Sequence, residues 1–138
     1  MYQEYYFMTN IDSSAIIGNG VKTQESTVIE GDAKIGDNCV LGNKVVIQKH
    51  AVIGSGVTME DGCVIERKVN VGNNCVFGKK VIVEGHAVIG SGVKMGDDIV
   101  IEKDTTVLDN ATVATGTVLP AGKTFPDGIT TKAKYHPS

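Results

Sequence analysis

The sequence predicts an all-β fold: a parallel solenoid of very short strands, three to a turn. Two observations carry this. Residues 34–67 and 70–103, aligned at an offset of 36, share 20 of 34 positions, and residues 50–57 return unchanged as 86–93. Inside that repeat runs a period of six, unbroken from Ile11 to Thr124, which is 19 hexads in 114 residues. A fixed period sets the architecture before local propensity is considered.

Each hexad opens on an apolar residue, as at Ile11, Ile29, Leu41, Met59, Phe77 and Ile101, with Thr23 the one polar exception. Fifth positions are Ala, Val, Thr, Cys or Ile everywhere except Lys123. Side chains alternate along a strand, so positions five and one, two apart, both point inward. Positions three and four then make a corner. Three strands and three corners close an 18-residue turn, and successive turns stack about 4.8 Å apart. At the second corner the fourth positions are Gly20, Asn38, Gly56, Asn74, Gly92 and Asn110. Gly and Asn tolerate positive φ best, so this corner turns through the left-handed region.

The ends depart from the rule. Residues 1–10 hold three of the four Tyr and read as a cap or a contact with a neighbouring subunit. Residues 11–125 are the coil, and 126–138 a tail carrying Lys132, Lys134 and His136. By size this is one domain. The net charge of −3 and pI near 5.5 argue against nucleic acid or an acidic membrane as partner. No apolar run approaches the roughly 20 residues of a membrane span, and the start lacks the basic region of a secretory signal. Three Cys without metal spacing suit reduced thiols in a cytoplasmic protein. Cys39 and Cys75 share an inward column with Val57 between them, about 10 Å apart and beyond disulfide reach, while Cys63 lies in another. All three read as small buried hydrophobes.

A coil this narrow encloses no cavity, so function must use its outer surface. One face repeats an aliphatic residue outward on every turn: Val28, Val46, Val64, Ile82, Val100 and Val118. Such a stripe marks an interface. Beside it Glu66, Glu84 and Glu102 stack, with Lys49, Arg67 and Lys103 near enough to offset their repulsion. The first corner is chemically varied, reading Ser14, Asp32, His50, Lys68, His86, Asp104 and Gly122 at steps of 18. His is suited to proton transfer near neutral pH, and it also tolerates left-handed corners, so the residues alone leave both roles open.

The hexads at residues 11–124 resemble the hexapeptide repeat of left-handed parallel β-helix proteins, best known from acyltransferases. That resemblance implies a left-handed triangular solenoid of about six coils, here with no extruded loop. It also implies an acyl-CoA co-substrate, no tightly bound cofactor and a homotrimer packed on the aliphatic stripe. His50 or His86 would be the general base toward a small hydroxyl or amine acceptor, with Asp32 or Asp104 orienting it. The tail lacks the Gly-x-Pro-Ala turn with which such transferases often leave the coil. Two alternatives accompany this reading. One is a non-enzymatic trimeric scaffold or partner-binding coil. The other is a γ-carbonic-anhydrase-like metalloprotein, which the spacing opposes, since His50 and His86 are about 10 Å apart and cannot share a metal within one subunit.

Overall fold

The structure is a computed structural model that describes residues 10–126. The expected cap over residues 1–9 and the tail from 127 lie outside those residues. Within them the chain is a left-handed parallel β-helix of about six turns, without a helix or an extruded loop. Three parallel sheets form its faces. The first holds Ile16–Ile17, Lys34–Ile35, Val52–Ile53, Asn70–Val71, Val88–Ile89, Thr106–Val107 and Thr124–Phe125. The second holds Val40–Leu41, Thr58–Met59, Val76–Phe77, Lys94–Met95 and Thr112–Val113. The third holds Val28–Ile29, Val46–Ile47, Val64–Ile65, Ile82–Val83, Val100–Ile101 and Val118–Leu119. Every pairing is offset by 18 residues, as in Val52↔Asn70 and Val64↔Ile82.

Positions five and one fill the interior. Ile47, Cys63, Ile65, Phe77, Val83 and Ile101 are all fully enclosed. At Thr23 the polar first position interrupts this pattern. There the second face keeps only an isolated bridge, Lys22↔Val40, in place of a strand. At the other end the pairing continues one residue beyond the nineteenth hexad. Thr124–Phe125 pairs with Thr106–Val107, and Phe125 is buried as the next first-position residue.

All three corners turn through positive φ, including Asp32, His50, Lys68, His86 and Asp104 at the first. The second corner is further zipped by its third positions. The Asp37 carboxylate accepts from the Asn19 N–H at 2.9 Å, Asn73 Oδ1 from Ser55 N–H at 2.9 Å, and Asp109 from Ser91 N–H at 2.8 Å. Ser55 and Ser91 hydroxyls fill the intervening steps. The third corner does the same through Asp61 and Asp97. This ladder explains the Gly before the second corner and, at Gly42, Gly78 and Gly96, before the third. The accepting side chain lies over the glycine of the preceding turn, so a Cβ at Gly36 would stand 2.7 Å from the Ser55 backbone nitrogen.

The fourth positions of the second corner alternate Gly and Asn for a similar reason. Asn38, Asn74 and Asn110 each push Oδ1 into the space a Cβ would need at Gly20, Gly56 and Gly92. Two turns, 36 residues, is therefore the structural repeat.

Candidate functional site

The first corner is built differently. Its second positions are Asp12, Glu30, Gln48, Glu66, Glu84, Glu102 and Pro120 where the other corners favour Gly, and among the described residues no third-position side chain accepts a ladder hydrogen bond there. Its fourth positions are joined from turn to turn mainly through the backbone, with Ser14 Oγ, accepting from Asp32 N–H, the one side-chain link within the column among the described residues. His50 N–H donates to Gly31 O at 3.2 Å, Lys68 N–H to Lys49 O at 3.1 Å, and His86 N–H to Arg67 O at 3.2 Å. The side chains of Asp32, His50, Lys68, His86 and Asp104 in this column make no turn-to-turn hydrogen bond among the described residues, which leaves them open to the groove and to solvent.

Asp32 and His50 meet there. His50 Nε2 lies 4.0 Å from Asp32 Oδ2, the one ion pair among the described residues, with side chains 51% and 63% exposed. That distance is an electrostatic contact and not a hydrogen bond. The second His is not drawn to a carboxylate: the duplication puts Lys68 where Asp32 stands, His86 and Asp104 are both exposed, and His86 has no carboxylate within 4.0 Å among the described residues. Both His sit in left-handed backbone, at φ 64 and φ 66.

A groove of about 280 Å³ runs along this corner onto the first face, lined by Ser14, Ile16, Asp32, Lys34, His50 and Val52. The column spacing announced Ser14, Asp32 and His50. Ile16, Lys34 and Val52 were missed, although the same step of 18 sets them beside that column as the outward residues of the next strand. Ser14 Oγ–H donates to Asp12 Oδ1 at 2.8 Å, and its oxygen accepts from Asp32 N–H at 2.9 Å. The Ser14 N–H and hydroxyl together hold the Asp12 carboxyl below its ordinary range, with Lys49 adding to the effect.

The acidic column resolves its own crowding. Glu66 Oε1 turns in to accept from Gly85 N–H, and Glu102 Oε1 from Ala121 N–H, each at 3.1 Å, leaving Glu84 between them. Those turns are open because the third position is small at Gly85 and Ala121.

The stripe at Val28, Val46, Val64, Ile82, Val100 and Val118 is half-buried in the single chain, less open than Val40, Val52, Val76 and Val88 on the other faces. Where the other faces favour Gly at position two, this one has mostly acidic side chains next to the aliphatic residue.

The thiols are inert. Cys39, Cys63 and Cys75 are free and buried, and their Sγ–H groups donate to the carbonyls of Gly54, Gly78 and Gly90 at 3.0, 3.0 and 3.1 Å. Burial raises all three, Cys63 to about 11, so thiolate is scarce near neutral pH. Among the described residues no three His, Cys, Asp or Glu cluster in a way that could hold a metal ion, and no helix is long and apolar enough to cross a membrane.

A family model described as the GMPPB C-terminal domain matches residues 11–124. None of the curated proteins matches the chain. Among solved structures, the acetyltransferase domain of PglB from Neisseria gonorrhoeae in complex with acetyl coenzyme A is 22% identical, with a TM-score of 0.72 over 75% of this chain and 50% of that one. A mutant GDP-perosamine N-acetyl transferase from Caulobacter crescentus, in complex with CoA and GDP-perosamine, is 15% identical, with a TM-score of 0.68 over 75% and 52%. A hexapeptide transferase family protein from Anaplasma phagocytophilum is 21% identical, with a TM-score of 0.60 over 83% and 71%. The chain spans about half the length of the first two. At such identities the likeness speaks for the fold.

Proposed function

This chain belongs to the GMPPB C-terminal domain family, within the acyltransferase-like hexapeptide-repeat superfamily, and on that premise we propose that it transfers an acyl group from acyl-CoA to a small hydroxyl or amine acceptor. The observation that carries this reading is His50 beside Asp32 over an open groove, on the one corner whose third positions carry no ladder among the described residues. Neighbours whose solved structures hold acetyl coenzyme A or CoA support acyl-CoA as the donor.

In this reading His50 is the general base. With Nε2 facing Asp32, Nδ1 takes the proton as the acceptor oxygen or nitrogen attacks the thioester carbonyl carbon. The carbon–sulfur bond then breaks, and the imidazolium returns the proton to the departing CoA sulfur, leaving ester or amide and free CoA. Asp32 steadies the imidazolium between those steps. Two turns on, His86 has Lys68 in place of the Asp on the preceding turn and Asp104 on the following one, without the close approach. The half-buried stripe packs against two further copies in a homotrimer, which brings the first corner to a subunit boundary. The reduced thiols suit a cytoplasmic setting.

The unbroken coil, without a loop to deepen the groove, favours a second reading as a non-enzymatic assembly module. Calorimetric titration of acetyl-CoA and CoA, with an acyl-transfer assay, separates the two. Saturable binding at one site per subunit is expected. The His50→Gly variant, suited to the φ of 64, should keep that binding and the fold yet lose about 10²–10⁴-fold in transfer. No binding up to millimolar ligand by the folded protein would refute the acyltransferase and leave the assembly module.

A further inference from the structure

We infer that Lys34 makes the groove beside His50 selective for a compact anionic acceptor, one whose hydroxyl or amine is carried on a small skeleton with a carboxylate or phosphate. The inference rests on the acyltransferase reading for its use, and on the groove itself for its chemistry.

Each polar group lining the groove has an intramolecular partner except one. Ser14 is engaged by Asp12 and by the Asp32 backbone. Asp32, the groove's single negative charge, turns its carboxylate to His50. Lys34 lies between Ile16 and Val52 on the first face, in register with both through the pairings Ile16↔Lys34 and Lys34↔Val52. Its ammonium has no carboxylate within 4.0 Å among the described residues. A cation left over in a groove whose other charges answer one another is what an incoming anion meets.

The neighbours on either side define the rest of the ligand. Ile16, 60% exposed, and Val52 offer two apolar patches flanking the cation, and His50 lines the same groove from the adjoining corner. A volume of about 280 Å³ lies at the lower end of small-molecule pockets. It fits a few-carbon acceptor better than an extended one. An anion on Lys34, a short alkyl segment on Ile16 or Val52 and a nucleophile toward His50 describe a hydroxy or amino acid, or its phosphate counterpart.

The test uses two probes that differ only in charge, 3-hydroxybutyrate and 3-hydroxybutyramide, titrated into the full chain with backbone amide NMR shifts read at residues 32–34 and 50–52. The carboxylate should bind about three- to fivefold more tightly than the amide, the scale of one solvent-screened charge pair. Lys34→Met should remove that preference and Lys34→Arg should keep it. Lys34 points outward from its strand, so neither change disturbs the core. Equal affinity for the two probes, preference surviving in Lys34→Met, or no saturable shift at these amides from either probe would each overturn the inference. Preference for the carboxylate together with absent acetyl-CoA binding would leave the anion groove standing and remove the acyltransferase reading instead.

Discussion

Replacing Gly54 by Ala tests the ladder that holds the turns together. A Cβ there would stand 2.7 Å from both the carbonyl carbon and the oxygen of Gly72, and it would also strike Asn73 Oδ1. Backbone cannot rotate away, so two adjacent turns must part by roughly 0.7 Å to reach ordinary contact. Overpacking of that kind costs about 1–3 kcal/mol. Parting the turns also weakens the 2.9 Å hydrogen bond from Ser55 N–H to Asn73 Oδ1, about 1 kcal/mol more. The expected loss is about 2–4 kcal/mol, a fall of roughly 1–2 M in urea midpoint at an m-value near 2 kcal/mol/M. Gly85→Ala is the control. Its Cβ meets only Arg67 O, at 3.6 Å, and the same column carries Lys49, Arg67 and Lys103 on other turns. It should stay within about 0.5 kcal/mol of the parent. Urea unfolding followed by circular dichroism reads both. Equal midpoints for the two variants would refute the account of why position two is Gly.

Cys63 gives a pH dependence. The native protein holds its proton up to about 11, while the unfolded chain releases it near 9.0. The native state therefore binds more protons across that window, and stability falls as pH rises from about 9 to about 11, by about 2–3 kcal/mol from this group. The decline in urea midpoint between pH 8 and 11 should be smaller in Cys63→Ala, and an equal decline would count against buried, protonated Cys63. Val64→Lys places a charge mid-stripe on the third face. Sedimentation should report a smaller species with an unchanged β spectrum, and an unaltered assembly would reject that face as the subunit contact.

The fold was legible because burial in a narrow coil is a one-dimensional pattern. Positions five and one must be apolar or small on every turn, and 19 hexads say so repeatedly. Thr23 was visible as the polar first position, and the structure has only an isolated bridge on that turn, while the pairing at the other end extends to Phe125. The Gly at position two was visible but its cause was not, because the atoms that require it belong to the next turn. The column of Asp and His was legible from the step of 18. Which His keeps company with a carboxylate was not. Asp32 precedes His50 by one turn and Asp104 follows His86 by one, and which of these orders brings the side chains together depends on directions that the step of 18 does not carry. Lys34 escaped notice because an outward Lys on a strand looks like ordinary surface until its neighbours are seen to satisfy one another.

The alternation of Gly and Asn along the second corner limits how such a chain can change length. Deleting or duplicating 18 residues would set Asn against Asn, with no hollow for the side chain, or Gly against Gly, with an empty one. Adding or removing 36 restores every match from Gly20 to Asn110. The heritable unit of this coil is thus a pair of turns, and relatives that differ in length should differ in steps of two.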